Sequence, residues 1–300
     1  MVSVVIPVFN DAKRLEICLK AIDQQTYPKA CYEVIVVDND SEFGLVIASV
    51  VAQFKRAIVA FETIPGSYAA RNRGIELAKG EVLAFTDADC IPAKDWIERG
   101  VWHLLQTQNC GLVAGRIEVF FQDPTCITPI ELYESITAFP QSKLLETRHG
   151  GATANVFTLK AVFEQVGLFD PTLKSNGDLE WGYRVFLAGY RQIYADDALV
   201  AHPARSTYQE LYQRTVRLVG GAQDVRKKYC HSSVQHMLFF IEDLLKSLVP
   251  PLMFMWCTFS DSRLKGFQQK LNVSLVMFFV RYVTAWELIR LKLGGTSSRG

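Results

Sequence analysis

Apolar and polar positions fall into regular blocks over the first ninety residues. VSVVIPVF (2–9) and YEVIVVD (32–38) are unbroken runs rich in β-branched residues, and AIVAF (57–61) and EVLAFTD (81–87) are shorter ones. Continuous runs of this length predict strands buried on both faces. Helical patterns separate them. Asp11 is placed to cap a helix on which Leu15, Cys18, Leu19 and Ile22 share one face. The segments 44–56 and 68–79 read as two more helices, the second stopping at Gly80. Strand and helix alternating at this spacing predict an α/β fold with a mostly parallel sheet flanked by helices. Such sheets bind ligands beyond the carboxyl ends of their strands. Asp38 and Asp87 both stand at such ends.

The middle of the chain is more mixed. GLVAGRIEVFF (111–121) predicts a strand, and HGGATANVF (149–157) a Gly-rich turn entering another. KAVFEQVG (160–167) predicts a short helix closed by glycine. DLEWGYRVFLAG (178–189) predicts a helix with Leu179, Tyr183, Phe186 and Leu187 on one side, followed by two short strands, RQIYA and ALVAH. From 207 onward the pattern changes to a C-terminal helical extension. Residues 208–229 are polar, basic and helical, and two strongly apolar segments follow at 237–259 and 273–293. The first has two prolines in its charge-free stretch and the second is interrupted by Arg281. A spanning helix needs roughly 20 apolar residues, so both are expected to lie on a membrane or a partner, or to pack as a hairpin on the rest of the chain.

Composition narrows the reading. With 300 residues and 49% apolar content the chain fills one large domain or two modest ones. A net charge of +1 leaves no extended basic footprint for nucleic acid. The seven cysteines form no CxxC pair and mostly sit in apolar runs, which suits a reducing compartment and speaks against a zinc site. No secretory leader precedes the first strand, so a cytoplasmic location is expected, with peripheral contact on the inner face of the membrane through the C-terminal helices.

The strand EVLAFTDADC delivers two carboxylates, Asp87 and Asp89, to its tip. In an extended segment residues i and i+2 point the same way, so both acids can face one site. Paired carboxylates repel unless a cation sits near them. Oxygen ligands favour Mg²⁺ or Mn²⁺, which in turn hold substrate phosphates.

Around this pair stand VSVVIPVFN, VIVVDND, GSYAARNRGI, GEVLAFTDADCIP, GGATANVF, VGLFD, GDLEWGYR and ALVAHP, in that order over residues 1–205. The ordered set resembles the family 2 inverting glycosyltransferases, most closely enzymes of bacterial exopolysaccharide assembly. The resemblance implies a GT-A-type nucleotide-binding domain over 1–206, with a nucleotide-sugar half up to residue 110 and an acceptor half from 111. It implies a UDP-sugar donor, an Mn²⁺ or Mg²⁺ cofactor, and a glycan or lipid-linked acceptor in polysaccharide biosynthesis.

The site residues it implies are these. Pro7, Phe9, Asp38, Arg71 and Asp87 would bind the nucleotide, with Phe9 against the base and Arg71 near the diphosphate. Asp89, Asp87 and His202 would hold the metal. Asp178 would be the base, with Glu180 its rival, and Trp181 and Asn155 would face the acceptor. Two departures stand out. Asn39 replaces the second acid of the usual pair, and Gly177 replaces the Glu that commonly precedes the base. The Arg-Trp pair of processive synthases is absent after Gln213, which predicts transfer of a single sugar. Two rivals remain. A sugar nucleotidyltransferase should carry a Gly-rich loop after the first strand, whereas PVFNDAKRL has no glycine. A degenerate transferase serving only as an interaction module should have lost the DxD pair or the base acid, and both are present.

Overall fold

The computed structural model describes every residue except His231, Arg299 and Gly300. Its strands are β1 (Val2–Val8), β2 (Tyr32–Asp38), β3 (Ala57–Phe61), β4 (Val82–Thr86), β5 (Ile91–Pro92), β6 (Cys110–Phe120), β7 (Asn155–Leu159) and β8 (Arg191–Pro203). The helices before β7 are α1 (Ala12–Asp23), α2 (Gly44–Val51), α3 (Ser67–Leu77), α4 (Trp96–Gln106), α5 (Pro129–Thr137) and α6 (Gln141–Arg148). Beyond it come α7 (Lys160–Val166), α8 (Gly177–Leu187), α9 (Tyr208–Tyr229), α10 (Ser233–Leu248), α11 (Leu252–Ser260) and α12 (Gly266–Lys292).

The strands form one eight-stranded sheet in the order β3-β2-β1-β4-β7-β6-β8-β5. β3, β2, β1 and β4 are parallel, as the apolar runs predict. The parallel pattern stops there: β7 runs antiparallel to β4 and β6, and β5 antiparallel to β8. The sheet is therefore mixed. The reversal sets Asn155 opposite Thr86, just before the acidic tip of β4.

Local chemistry accounts for most boundaries. Asp11 caps α1 by accepting from the Arg14 N–H, and Leu15, Cys18, Leu19 and Ile22 are its four buried residues. α2 is shorter than its apolar run suggests. Helix α3 ends before Gly80, which serves close packing instead: a Cβ there would lie 2.7 Å from the Met1 carbonyl oxygen and the Ser3 nitrogen. Gly167, at φ +85°, closes α7 as expected. RQIYA and ALVAH are one continuous 13-residue strand, β8, whose inward alternation slips by one residue at Asp196 and Asp197, so that Ala195 and Ala198 are both buried.

α8 buries a different face from the one its sequence suggests. Trp181 and Val185 point inward, while Tyr183, Phe186 and Leu187 are exposed. Three aromatic partners explain the choice. Trp181 stacks on Phe163 with ring centres 4.4 Å apart, and Phe169 and Phe85 complete the cluster.

The chain forms two compact units. The first, residues 1–118, 139–172 and 177–202, holds most of the sheet and its core. The second, residues 119–138, 173–176 and 203–300, adds two inserted segments to the C-terminal helices. Its core gathers Ile130, Leu132 and Tyr133 of α5 with Leu211, Leu264, Val273 and Val276. Pro250 and Pro251 separate α10 from α11. The charge that broke the second apolar segment in sequence does not break its helix. Arg281 turns to the end of α10 and donates to the Lys246 and Val249 carbonyls. α12 is thus long and apolar enough to cross a membrane by length and composition, with 39% of its apolar window buried in the fold.

Candidate active site

The carboxyl ends of three adjacent parallel strands present Phe9, Asp38 and Phe61. Register places Val8 beside Asp38 and Asp38 beside Phe61. Phe9, one residue past β1, is 61% exposed. Asp38 is buried, and its Oδ1 accepts from the Ser41 N–H. Its Oδ2 is buried with no partner. Gly44 leaves that oxygen room, since a Cβ there would approach it to 2.9 Å. An unpaired buried carboxylate oxygen is costly and marks a place where a ligand donor belongs. Asn39 is fully used by the fold. Its amide donates to the Glu62 and Ile64 carbonyls and its oxygen accepts from the Gly66 N–H, so it braces the loop entering α3. Pro7 is buried inside β1, beyond the last β1–β4 pair, Val5 with Phe85.

The tip of β4 is a turn rather than an extended segment. The Cys90 N–H donates to the Asp87 carbonyl at 3.1 Å, and this closure separates the two acids. Asp87 is ion-paired with Arg71, which is 4% exposed. Asp89 faces His202, with Oδ1 3.6 Å from Nε2, and Arg14 stands 4.0 Å from its other oxygen. The two acids thus face different partners. Among the described residues, Asp89, Cys90 and His202 form a group whose ligand atoms lie within 4.8 Å of one another and could hold an ion; Asp87 is not part of it.

Burial raises the Asp89 carboxyl, and the neighbouring Asp87 adds to the shift against the opposing charges of His202 and Arg14. Burial likewise keeps the Cys90 thiol protonated, well above its usual range. What remains is one carboxylate, a hard oxygen donor, and one imidazole, a borderline nitrogen donor, at a buried acid that gains from a nearby cation. The residues present therefore fit a divalent ion.

The start of α8 holds Asp178. Its Oδ1 accepts from the Tyr68 hydroxyl at 3.1 Å and from the Leu179 N–H at 3.0 Å. Its Oδ2 has one longer donor, the Thr153 N–H at 3.3 Å. The Tyr68 hydroxyl also accepts from the Gly177 N–H at 2.9 Å. Burial and the adjacent Asp178 both push the Tyr68 phenol up, so it stays a neutral donor. Gly177 is the position where a glutamate was expected. A Cβ there would lie 2.7 Å from the Tyr68 ring, so the ring occupies the space of the missing side chain. The Gly-rich turn before β7 packs closely on the first turn of α8, since a Cβ on Gly150 would lie 2.9 Å from the Leu179 Cα.

Three expected site residues belong to the scaffold. Glu180 has a fully buried side chain paired with Arg184, which also donates to the Val166, Gly167 and Leu168 carbonyls. Trp181 is 1% exposed, its ring nitrogen donates to the Gly167 carbonyl, and its faces are covered by phenylalanines. Asn155 is completely buried. Its oxygen accepts from the Trp96 indole and its amide donates to the Arg116 and Ala198 carbonyls. None of the three has a surface left for substrate.

Residues 3–167 match the family described as Glycosyl transferase family 2. The chain belongs to that family. The glycosyltransferase AglE of Haloferax volcanii is 41% identical over 225 residues, covering 73% of this chain and 72% of AglE. The pre-mycofactocin glycosyltransferase of Mycobacterium tuberculosis is 28% identical, covering 74% of the chain but 46% of that protein. Among solved structures, the mannosyltransferase PcManGT of Pyrobaculum calidifontis, in complex with GDP-Man and Mn²⁺, superposes with a TM-score of 0.60 at 20% identity, covering 95% of this chain and 86% of that one. GalNAc-T7 with UDP, GalNAc and Mn²⁺ gives a TM-score of 0.56 at 18% identity, over 76% and 47%. These likenesses establish a GT-A-type fold.

As a family 2 glycosyltransferase the protein is an enzyme of sugar transfer, and the nucleotidyltransferase reading is set aside. Tyr68 is the site residue that motif reading passed over. It lies inside GSYAARNRGI, and its signal was the glycine at 177, a vacancy that some other side chain had to fill.

Proposed function

We propose that this protein is a metal-dependent, inverting, non-processive glycosyltransferase that moves one sugar from a nucleotide-sugar, a UDP-sugar, to a glycan or lipid-linked acceptor. One observation carries the reading. A continuous network joins the base candidate to the metal candidates: Asp178 to Tyr68, Tyr68 under the Arg71 guanidinium at 5.8 Å, Arg71 to Asp87, and Asp87 through its turn to Asp89 and His202. Two buried polar atoms without partners, Asp38 Oδ2 and Arg71 Nε, lie at the ends where a nucleoside diphosphate would bind.

In this reading Asp38 accepts from a base or ribose donor and Phe9 covers the base. Arg71 exchanges part of its pairing with Asp87 for a diphosphate oxygen. Asp89 and His202 would hold the divalent ion. When bound, that ion neutralises charge on the departing diphosphate. Asp178 removes the proton of the acceptor hydroxyl through Oδ2, its less engaged oxygen. The hydroxyl oxygen then forms its bond to the anomeric carbon from the face opposite the diphosphate, whose bond breaks and which leaves with the electron pair. The neighbours that carry GDP-Man or UDP with Mn²⁺ support the donor class.

Calorimetric titration of UDP, GDP, CDP and dTDP with and without Mn²⁺ tests it. Metal-dependent binding of UDP, lost in Asp89→Asn, is the expected result. Preference for another nucleotide would move the base assignment and keep the chemistry. Absence of binding under every condition would revive a non-catalytic module.

A further inference from the structure

Two consecutive helices of the second unit turn large apolar side chains outward. On α10, Val234, Leu238, Ile241, Leu245 and Leu248 are all exposed. At 100° per residue they share an arc about 80° wide. The opposite side of the helix faces the protein, and it is the polar one. There Asp243 pairs with Arg226, Phe240 lies 5.5 Å below the Lys292 ammonium, and His236 and Ser247 are half-buried. α10 has no fully buried residue at all. α11 has no charge and is apolar on both sides: Phe254 packs on the core of the unit, while Leu252, Met253 and Trp256 are 69–77% exposed. A helix of a water-soluble surface would show the reverse, and large exposed apolar patches mark interaction sites.

Charge identifies the occupant. Residues 207–300 carry 13 Lys and Arg against 6 Asp and Glu, a net +7 in a chain whose total is +1. The excess flanks these two helices. Arg226, Lys227 and Lys228 stand in the last turn of α9, and Arg263, Lys265 and Lys270 follow α11. The acids between them are engaged within the fold: Glu242 with Lys246, Asp243 with Arg226 and Asp261 with Arg263. An aliphatic stripe with a tryptophan, bordered by basic residues, matches the interface of a bilayer rich in anionic lipid. A second copy of the chain would bring the same +7 against itself.

We propose that the outward faces of α10 and α11 are a docking surface for an anionic lipid bilayer. This inference does not depend on the transferase reading, and its test reads no catalysis. The protein is sedimented with phosphatidylcholine vesicles containing about 30% phosphatidylglycerol and with phosphatidylcholine alone. Binding to the anionic vesicles is expected, weaker on the neutral ones and weakened by salt. Leu238→Glu with Leu245→Glu should reduce the bound fraction at least tenfold. Both side chains are exposed, so the thermal midpoint should not fall. A single-site check uses Trp256: its emission should shift to the blue on anionic vesicles, and Trp256→Phe should remove that shift. Failure to bind vesicles, or binding unchanged by the two glutamates, overturns the proposal. So does a dimer in sedimentation velocity that the two glutamates dissociate while vesicles never bind, an outcome that would assign the face to a second copy.

Discussion

Replacing Tyr68 by Phe isolates one hydroxyl that bridges two groups at the base. The ring would stay, with its packing against Phe169 at 5.8 Å and its place under Arg71. The bond to Asp178 at 3.1 Å and the bond from the Gly177 N–H at 2.9 Å would both be lost. A hydrogen bond to a charged group contributes about 1.5–3 kcal/mol. If half or more of that orients the carboxylate in the transition state, kcat falls about 4–160-fold. The unpaired Gly177 N–H falls on folding, where it costs about 1–3 kcal/mol and lowers the thermal midpoint by several degrees. Single-turnover rates at saturating donor measure the first effect, and calorimetric melting the second. The donor KM should change little, because nothing in the nucleotide end is touched. A double-mutant cycle separates positioning from general damage. In an Asp178→Asn background, Tyr68→Phe should cost nothing further, since the group it orients no longer acts as a base. A full kcat in Tyr68→Phe, or an equal loss in both backgrounds, would refute the reasoning.

Other outcomes follow from the same geometry. Asp178→Asn should lower transfer by about 10²–10⁴-fold while nucleotide binding, followed by calorimetry, stays intact. Asp38→Leu should weaken nucleotide binding about tenfold or more by removing the acceptor Oδ2, with little net change in the thermal midpoint, since relief of that unpartnered oxygen offsets loss of the Oδ1 acceptor for the Ser41 N–H. Asn155→Leu should act on folding alone. It strands the Trp96 indole N–H and two carbonyls, at about 1–3 kcal/mol each, and chemical denaturation should show the loss with KM for acceptor unchanged in the folded fraction. Glu180→Ala should destabilise by about 3–5 kcal/mol by leaving the Arg184 guanidinium without its carboxylate, again read by denaturation.

The reading of single residues divides along physical lines. Residues whose environment depends on near neighbours were legible. The runs that became β1, β2 and β4, the Asp11 cap and the four buried positions of α1 follow from local periodicity and solvation. So did the arrival of Asp38 and the DAD acids at strand ends, since strand boundaries are set locally. The family itself was legible because its motifs are short and keep their order.

What each acid does there was decided by partners distant in sequence. The turn after β4 and the position of Arg71 separate Asp87 from Asp89, and β8 brings His202 to Asp89. Asp178 and Glu180 are two residues apart and chemically alike. Arg184, itself held by three carbonyls, pairs with one of them in the interior, while Tyr68 presents the other. The outward aliphatic faces of α10 and α11 have the same cause. Sequence showed apolar helices, and only packing against α9 and α12 determined which side of each was left over. Periodicity reports that a residue has a preferred environment; the sheet order and helix packing choose which neighbour supplies it.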